Sequence, residues 1–484
     1  MNNLDAKISE IFKKECVLKT PERYQIFHGS PIPSFIKDWL IKKFTEESGD
    51  LNTEKLIRFM QNHIADKTDS IKRKLQTDRT KEKVLCRMIV ETDIKNDMMK
   101  FSVPDLGIKT SEGRIPSYIA KNHPQLKDNE VWGISDFVYS PPCSESHGYI
   151  DLIDFKPFNP YKVSLDYYKD CSRQFTLEEW TNVLIRAMEY NPDNTSPQFG
   201  FDTLEKKHLF ISRLMVFVES NLNMMELAPK GTGKSYVFGN LSKYGWMFSG
   251  GKISRAKLFY DMGKKTPGTI EQYDFIAMDE VETISFSNEA EMLGALKNYL
   301  ESGKFSIANY NGASEAGLIL LGNIPLNKWG RPLHQNYLKT LNPLFRNSAL
   351  LDRFHAFIEG WDLIRINEDM LLRGYTLNVE YFSEILHMLR RDSSYTWIVT
   401  ELIDIPSTAD TRDKKAIVKV ATAYLKLLFP WVRDISDIDP TLFARYCLEP
   451  AIRKRALIKE QIAAMDPEFN PRVPNIKLKD KYIS

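Results

Sequence analysis

One short stretch limits the possible folds more than any other: Glu226-Leu227-Ala228-Pro229-Lys230-Gly231-Thr232-Gly233-Lys234-Ser235. A strand-like run from Leu222 to Leu227 precedes it, and a helix is predicted to start near Ser235. Strand, glycine-rich turn and helix in that order make a loop whose backbone N–H groups surround phosphate, with the helix N-terminus adding positive potential. Pro229, Lys230, Gly231, Thr232, Gly233, Lys234, Ser235 and Tyr236 are the candidate nucleotide-binding residues. Lys234 is suited to the β- and γ-phosphates, and the Ser235 hydroxyl to Mg²⁺. Ala228 stands where the GxxxxGK[ST] pattern has its first glycine. That position opens the loop without touching phosphate, so alanine is expected to be tolerated.

Downstream, Phe275-Ile276-Ala277-Met278 delivers Asp279 and Glu280 to the end of an apolar strand. Any strand can end in acids, but together with the loop the pair fits metal-dependent hydrolysis of ATP. Asp279 would complete the Mg²⁺ shell with Ser235, and Glu280 would polarise the attacking water. A third buried strand, Leu318 to Gly322, ends in Asn323, and in an ATPase sheet it lies between the other two. Asn323 then sits beside the γ-phosphate; the plainer reading is a turn before Pro325. Arg353, before the strand Ala356-Phe357-Ile358, is placed too far along the sheet edge for its own nucleotide. It suits a neighbour's site, where it would stabilise transition-state charge. The plainer reading is a surface ion pair with Asp352 or a nearby acid, and Arg346 competes for the role. Arg412, Lys415 and Lys419 are unranked candidates for a helical cation that senses nucleotide.

The rest of the chain is organised by periodicity. Residues 1–68 read as helical, with Ile8, Ile11 and Phe12 at helical spacing. Residues 69–160 read as a β-rich domain, a small barrel or sandwich with an OB-like barrel as one form, and Phe158-Asn159-Pro160 reads as a linker. A helical linker follows over 161–204, where Thr176-Leu177-Glu178-Glu179 is a capping box opening a helix through Trp180, Val183, Leu184 and Ala187. An α/β core spans 205–362, and a helical region spans 363–450, with a helix from Ala416 to Phe429 ended by Pro430. A basic tail covers 451–484. The 66 basic and 64 acidic residues give +2, so nucleic acid must be met by local patches. Five scattered cysteines without a CxxC pair and no clustered histidines exclude a zinc site or disulfide framework. The absence of a long apolar run and of a leader-like start predicts a cytoplasmic chain with no membrane partner.

Loop, acid pair, asparagine, arginine and helical region, in this order, resemble the AAA+ ATPases. The match narrows to the BrxL family of Lon-like ATPases from BREX phage-defence systems. It is carried by Leu227-Ala-Pro-Lys-Gly-Thr-Gly-Lys-Ser-Tyr-Val237, Ser249-Gly-Gly-Lys252, Leu258-Phe-Tyr260, Asp279-Glu-Val281, Tyr299-Leu-Glu-Ser-Gly-Lys-Phe305 and Asp352-Arg-Phe-His355. Phe175-Thr-Leu-Glu-Glu-Trp180 and Leu425-Lys-Leu-Leu-Phe-Pro430 extend it to most of the chain. The resemblance implies an AAA+ core, a parallel sheet with crossover helices, plus a helical lid and an N-terminal α+β region. It also implies a hexameric ring, single or stacked, that clamps or translocates double-stranded DNA, resembles minichromosome-maintenance helicases in organisation, and acts with other BREX proteins. Many members continue into a Lon-type domain; the sequence stops at Ser484, which implies a short form without proteolysis.

DNA contact is expected at Lys252, Lys264 and Lys265 around the second helix of the core, and at Lys304 in a hairpin before the asparagine strand. Residues 66–87 and 452–484, each with eight basic against four acidic residues, are weaker patches. An alternative is an ATP-dependent protein remodeller gripping peptide through Phe259-Tyr260. Another is a slow nucleotide-gated scaffold. Lysines flanking that aromatic pair favour phosphate over peptide.

Overall fold

The computed structural model describes residues 3–28, 32, 34–46, 49–64, 70–93, 96–123, 126, 130–142, 147–157, 163–196, 200–263 and 265–482. The expected linker Phe158-Asn159-Pro160 and the candidate Lys264 lie outside them. The chain divides into two compact units, Trp39–Lys162 and the combination of Met1–Asp38 with Val163–Ser484. The helical region expected over 1–68 is thus shared between the units.

The larger unit begins with the helix Asn3–Phe12, and its first strand is β1 (Cys16–Lys19). Among the described residues the smaller unit contains five strands, β2 (Glu82–Asp93), β3 (Met98–Val103), β4 (Ile108–Ile115), β5 (Glu130–Ser140) and β6 (Tyr149–Pro157). They close into a barrel in the order β2-β3-β4-β6-β5. Only the β4–β6 pairing is parallel; the other pairings are antiparallel. Alternation on β2 sends Val84, Cys86, Met88 and Val90 inward, and Phe101 stacks on Phe137 with centroids 5.2 Å apart. The β-like runs Val84–Val90, Val131–Ile134 and Tyr149–Ile153, on which the β-rich reading rests, fall in β2, β5 and β6. β3 and β4 are two more, and their charged, half-exposed residues hide the alternation that a sequence reading needs.

In the larger unit, Thr176 caps α1 (Leu177–Ala187) with the full reciprocal pair of bonds to Glu179. A five-stranded parallel sheet then forms from β7 (Met224–Ala228), β8 (Gly245–Ser249), β12 (Phe275–Asp279), β16 (Gly317–Asn323) and β17 (Ala356–Glu359). Between them run short strands β9 (Lys252–Ile253), β10 (Tyr260–Asp261), β11 (Thr266–Pro267), β13 (Ser285–Phe286), β14 (Lys304–Ile307) and β15 (Tyr310–Ala313). The sheet order is β17-β7-β16-β12-β8, with the asparagine strand between the loop strand and the acid strand as expected. All five positions of both β7 and β12 are buried, because helices cover both faces of a parallel sheet. α2 (Lys234–Asn240) follows the loop, and α3 (Glu289–Ser302) leads into β14.

After the sheet, β18 (Gly374–Leu377) pairs antiparallel with β1, fastening the N-terminal segment to this unit. α4 (Val379–Arg391), α5 (Thr411–Leu428) and α6 (Glu449–Ala463) follow. α5 starts at Thr411, ahead of the expected Ala416, because the Asp410 side chain accepts from the Arg412 amide and caps it. The residues expected as a basic tail are built into the unit. α6 buries Arg455 and Lys459 against Asp413, and Lys477–Leu478 pairs with Ile403–Asp404. In the other expected patch, Lys81 and Lys83 pair with Asp136 and Lys72 with Glu112, while Arg73, Lys74 and Arg79 are exposed. Cys16, Cys86, Cys171 and Cys447 are buried free thiols. No described helix is long and apolar enough to cross a membrane.

Candidate active site

The loop between β7 and α2 takes its shape from two left-handed residues, Gly231 at φ +83° and Gly233 at φ +76°. An L side chain is strained at such angles, and a Cβ on Gly233 would also stand 2.4 Å from the Tyr190 hydroxyl. Ala228, in place of the usual first glycine, is fully buried. Its methyl fits because Gly360 faces it: a Cβ on Gly360 would lie 2.2 Å from the Ala228 Cβ. The glycine missing from one side of the contact is supplied by the other.

Glu226 is an acid in the middle of an apolar strand and is fully buried. Arg213, equally buried, holds it through Nε–Oε2 at 2.9 Å and Nη2–Oε1 at 2.5 Å. The remaining Nη1 donates to the Thr232 carbonyl at 2.8 Å, so one guanidinium ties strand and loop together. Sequence reasoning missed this pair. Its signal was a lone arginine in the apolar run Ile211–Val218 facing a lone acid in β7. Ile366 closes the other side, its amide donating to the Gly231 carbonyl at 2.8 Å.

Four of the expected residues converge at the C-terminal ends of β7, β12 and β16. Lys234 Nζ is buried and lies 3.4 Å from the carbonyls of Ala228 and Pro229 and 3.3 Å from Asn323 Oδ1. Burial lowers its pKa, while Glu226 and Asp279 act to raise it. Ser235 Oγ donates to Asp279 Oδ2 at 2.5 Å. A hydroxyl and a carboxylate facing each other at this distance suit Mg²⁺, which takes one or two protein oxygens and fills its shell with phosphate and water. No cluster of three or more metal-ligating side chains exists among the described residues, as such a site requires none.

Glu280 follows Asp279 in a left-handed conformation at φ +51°, exposed at the rim and directed toward Gly250. Tyr236, also rim-exposed, shares a hydrogen bond of 3.1 Å with Ser34. Pro229 is buried behind the loop, whereas Lys230 is exposed.

Arg353 stands apart from this group. It precedes β17, at the N-terminal end of a strand in parallel register with β7, so the sheet's length separates it from the loop. Four residue steps along β7 amount to about 13 Å. Glu301 Oε2 holds Arg353 Nε at 3.0 Å and Arg412 Nε at 2.9 Å. Arg353 therefore has an acid partner, Glu301, one of the nearby acids that the ion-pair reading allowed. Arg346 is tied to the Leu341 carbonyl at 2.7 Å. Lys415 donates to the Glu301 carbonyl and Lys419 to that of Ser220, so all three helical cations sit at the sheet end away from the loop. At the loop end, α6 instead buries Lys454 near Glu359, and burial lowers its pKa to about 8.

The lysines expected on DNA fall on three small features. Lys252 is exposed on β9, which pairs with β13; Lys265 is exposed in the β10–β11 turn; Lys304 is exposed on the β14–β15 hairpin. The last two hairpins touch, Tyr260 stacking on Tyr310 with centroids 3.7 Å apart. Lys304 and Arg353 line one cleft of about 270 Å³ with Asn298, Glu301 and Ser306. Phe259 is wholly buried between Tyr299 and Phe305, so it is core and offers no grip on a peptide.

Residues 150–474 match the family model of the ATPase domain of Lon-like protease BrxL-like proteins. Residues 10–139 match that of the N-terminal region of the BREX system Lon protease-like protein BrxL. Two curated relatives bear the name Lon-like protease BrxL. The protein of Escherichia coli O9:H4 (strain HS) is 26% identical over 467 residues, covering 95% of this chain and 65% of its own length. That of Bacillus cereus (strain H3081.97) is 25% identical over 474 residues, covering 96% and 67%. The chain thus spans about two thirds of the length of these relatives.

Proposed function

The chain belongs to the BrxL family, and on that premise we propose that it is a ring-forming AAA+ ATP hydrolase. Its subunits hold double-stranded DNA and couple hydrolysis to clamping or translocation in BREX defence, beside other proteins of the system. The observation that carries the reading is the division of the site across the sheet. Lys234, Ser235, Asp279 and Asn323 gather at the C-terminal end, while Arg353 and Arg412 lie at the N-terminal end. An arginine at the far end serves a second copy's nucleotide, which favours a ring, and a hexamer is the form the family resemblance implies.

In this reading the loop amides and Lys234 orient the triphosphate, and Ser235 with Asp279 holds Mg²⁺, which would neutralise charge on the β- and γ-oxygens. Glu280, the exposed acid at the rim, takes the proton of the attacking water, and Asn323 orients that water. Arg353 of a second copy meets the charge that develops on the transferred phosphoryl. The touching hairpins that carry Lys265 and Lys304 supply phosphate contacts without reading sequence.

The test is the ATPase rate with and without duplex DNA, beside a salt-titrated binding assay and an unfolded-protein control. Stimulation by duplex, with affinity that drops steeply as salt rises, supports the reading. Stimulation by the unfolded protein alone replaces it with a remodeller.

A further inference from the structure

Three carboxylates leave the end of β12 within a few residues, and they face different ways. Asp279 turns inward onto Ser235, with Oδ2 accepting from the hydroxyl at 2.5 Å. Glu280 steps out through its left-handed backbone into solvent. The chain then rejoins the sheet, the Val281 amide donating to the Leu321 carbonyl at 3.0 Å. This return carries Glu282 back over the site, where Oε1 accepts from Asn323 Nδ2 at 2.6 Å. The other oxygen faces the Asn323 main-chain amide at 3.4 Å. Asn323 Oδ1 is in turn 3.3 Å from Lys234 Nζ.

We propose that Glu282 is a positioning residue for ATP hydrolysis, orienting Asn323 so that its amide oxygen faces Lys234 and one N–H stays directed to the reacting phosphate and water. The inference rests on the hydrolase reading above and deepens it. A primary amide is ambiguous, with an acceptor at one end and two donors at the other. A carboxylate only accepts, so Glu282 fixes the NH₂ end on itself, and the oxygen falls to the one ammonium nearby. Reversing the amide would set oxygen against carboxylate and NH₂ against ammonium, two like-signed contacts in a half-buried place. Because Nδ2 carries two hydrogens, Glu282 occupies one and leaves the second for the substrate. The two acids after Asp279 thereby divide the work: the exposed Glu280 exchanges protons, and Glu282 holds geometry.

The experiment is steady-state ATPase kinetics with direct nucleotide binding on Glu282→Ala, Glu282→Gln, Asn323→Ala and the double alanine variant. Glu282→Ala is expected to lower kcat about tenfold with ATP affinity nearly unchanged, and the double variant to be no slower than Asn323→Ala. Glu282→Gln keeps a carbonyl acceptor for Nδ2 and should recover most of kcat, which a need for the charge itself would not allow. Wild-type kcat in Glu282→Ala, or losses that multiply in the double variant, would overturn the proposal. Lys234→Ala and Glu280→Gln in the same assay separate the two levels. If they turn over ATP like the wild type, the hydrolase reading has failed; if they are dead while Glu282→Ala is normal, only the positioning role has. Should Glu282→Ala lose its thermal transition, the comparison passes to Glu282→Met and a Glu282→Met/Asn323→Ala pair, which remove the acceptor but keep the side-chain bulk, read by the same rule.

Discussion

At the scale of single residues, the charges that matter most are those removed from water. Arg213 and Glu226 are both fully buried and satisfied largely by each other. Removing one partner leaves the other charged in the sheet, so Arg213→Ala is expected to cost about 3–5 kcal/mol in a urea titration. Replacing both by apolar side chains should recover most of that stability. Nucleotide affinity should stay low in both variants, because the bond from Arg213 to the Thr232 carbonyl is lost in each. His208 is the opposite case, an imidazole kept neutral. Burial lowers its pKa from 6.5 to about 4, outweighing Glu205, and it sits edge-on to Tyr446. Between those values the unfolded chain takes up a proton that the folded chain refuses, so stability falls as pH drops from 6.5 toward 4. The full contribution is about 3 kcal/mol, and a His208→Gln variant should flatten that part of the thermal-stability profile.

At the scale of elements, short apolar strands read well because burial on both faces leaves few alternatives for β7, β12 and β16. Their C-terminal ends bring together Lys234, Ser235, Asp279 and Asn323, the candidate residues that the sequence reading placed there. What spacing could not show is how elements distant in sequence accommodate each other. Gly360 looks unremarkable until Ala228 is seen against it. Gly360→Ala is expected to push the loop strand aside and cost about 1–3 kcal/mol, with weaker nucleotide binding in a titration with a fluorescent ATP analogue. Adding Ala228→Gly should relieve only part of the loss, since the Leu227 carbonyl would still lie 2.8 Å from the new Cβ. The β14–β15 hairpin around Lys304 was legible in the sequence, whereas β10–β11 showed only as a lysine-bearing loop. Their contact through Tyr260 and Tyr310 joins strands far apart in the chain, which no local pattern encodes. Phe259 shows the converse, an aromatic beside lysines that local context left open and packing assigned to the core.

At the scale of the whole molecule, the parallel sheet gives the larger unit a direction. Every strand's C-terminal end faces the nucleotide loop, and the arginine-rich group around Glu301 lies at the other end. In the proposed ring, a subunit built this way would hold half of a site at each end. Mixing Arg353→Ala with Lys234→Ala subunits should therefore restore part of the ATPase activity that each lacks alone, read as rate against mixing ratio. No recovery at any ratio would return Arg353 to a structural ion pair. The sequence by itself determined the phosphate loop, the acid and amide strand ends, the capped helix before the sheet and the α/β class. Those features depend on neighbours a few residues away, whose geometry is set by covalent spacing and local hydrogen bonding. Tertiary structure alone decided that Arg213 neutralises Glu226, that Glu282 turns back onto Asn323, that Glu301 gathers Arg353 with Arg412, and in what order the strands of the expected barrel close. Each joins groups whose separation along the chain carries no signal, and the need to pair a buried charge or exclude water from an apolar face is satisfied only once the chain has folded.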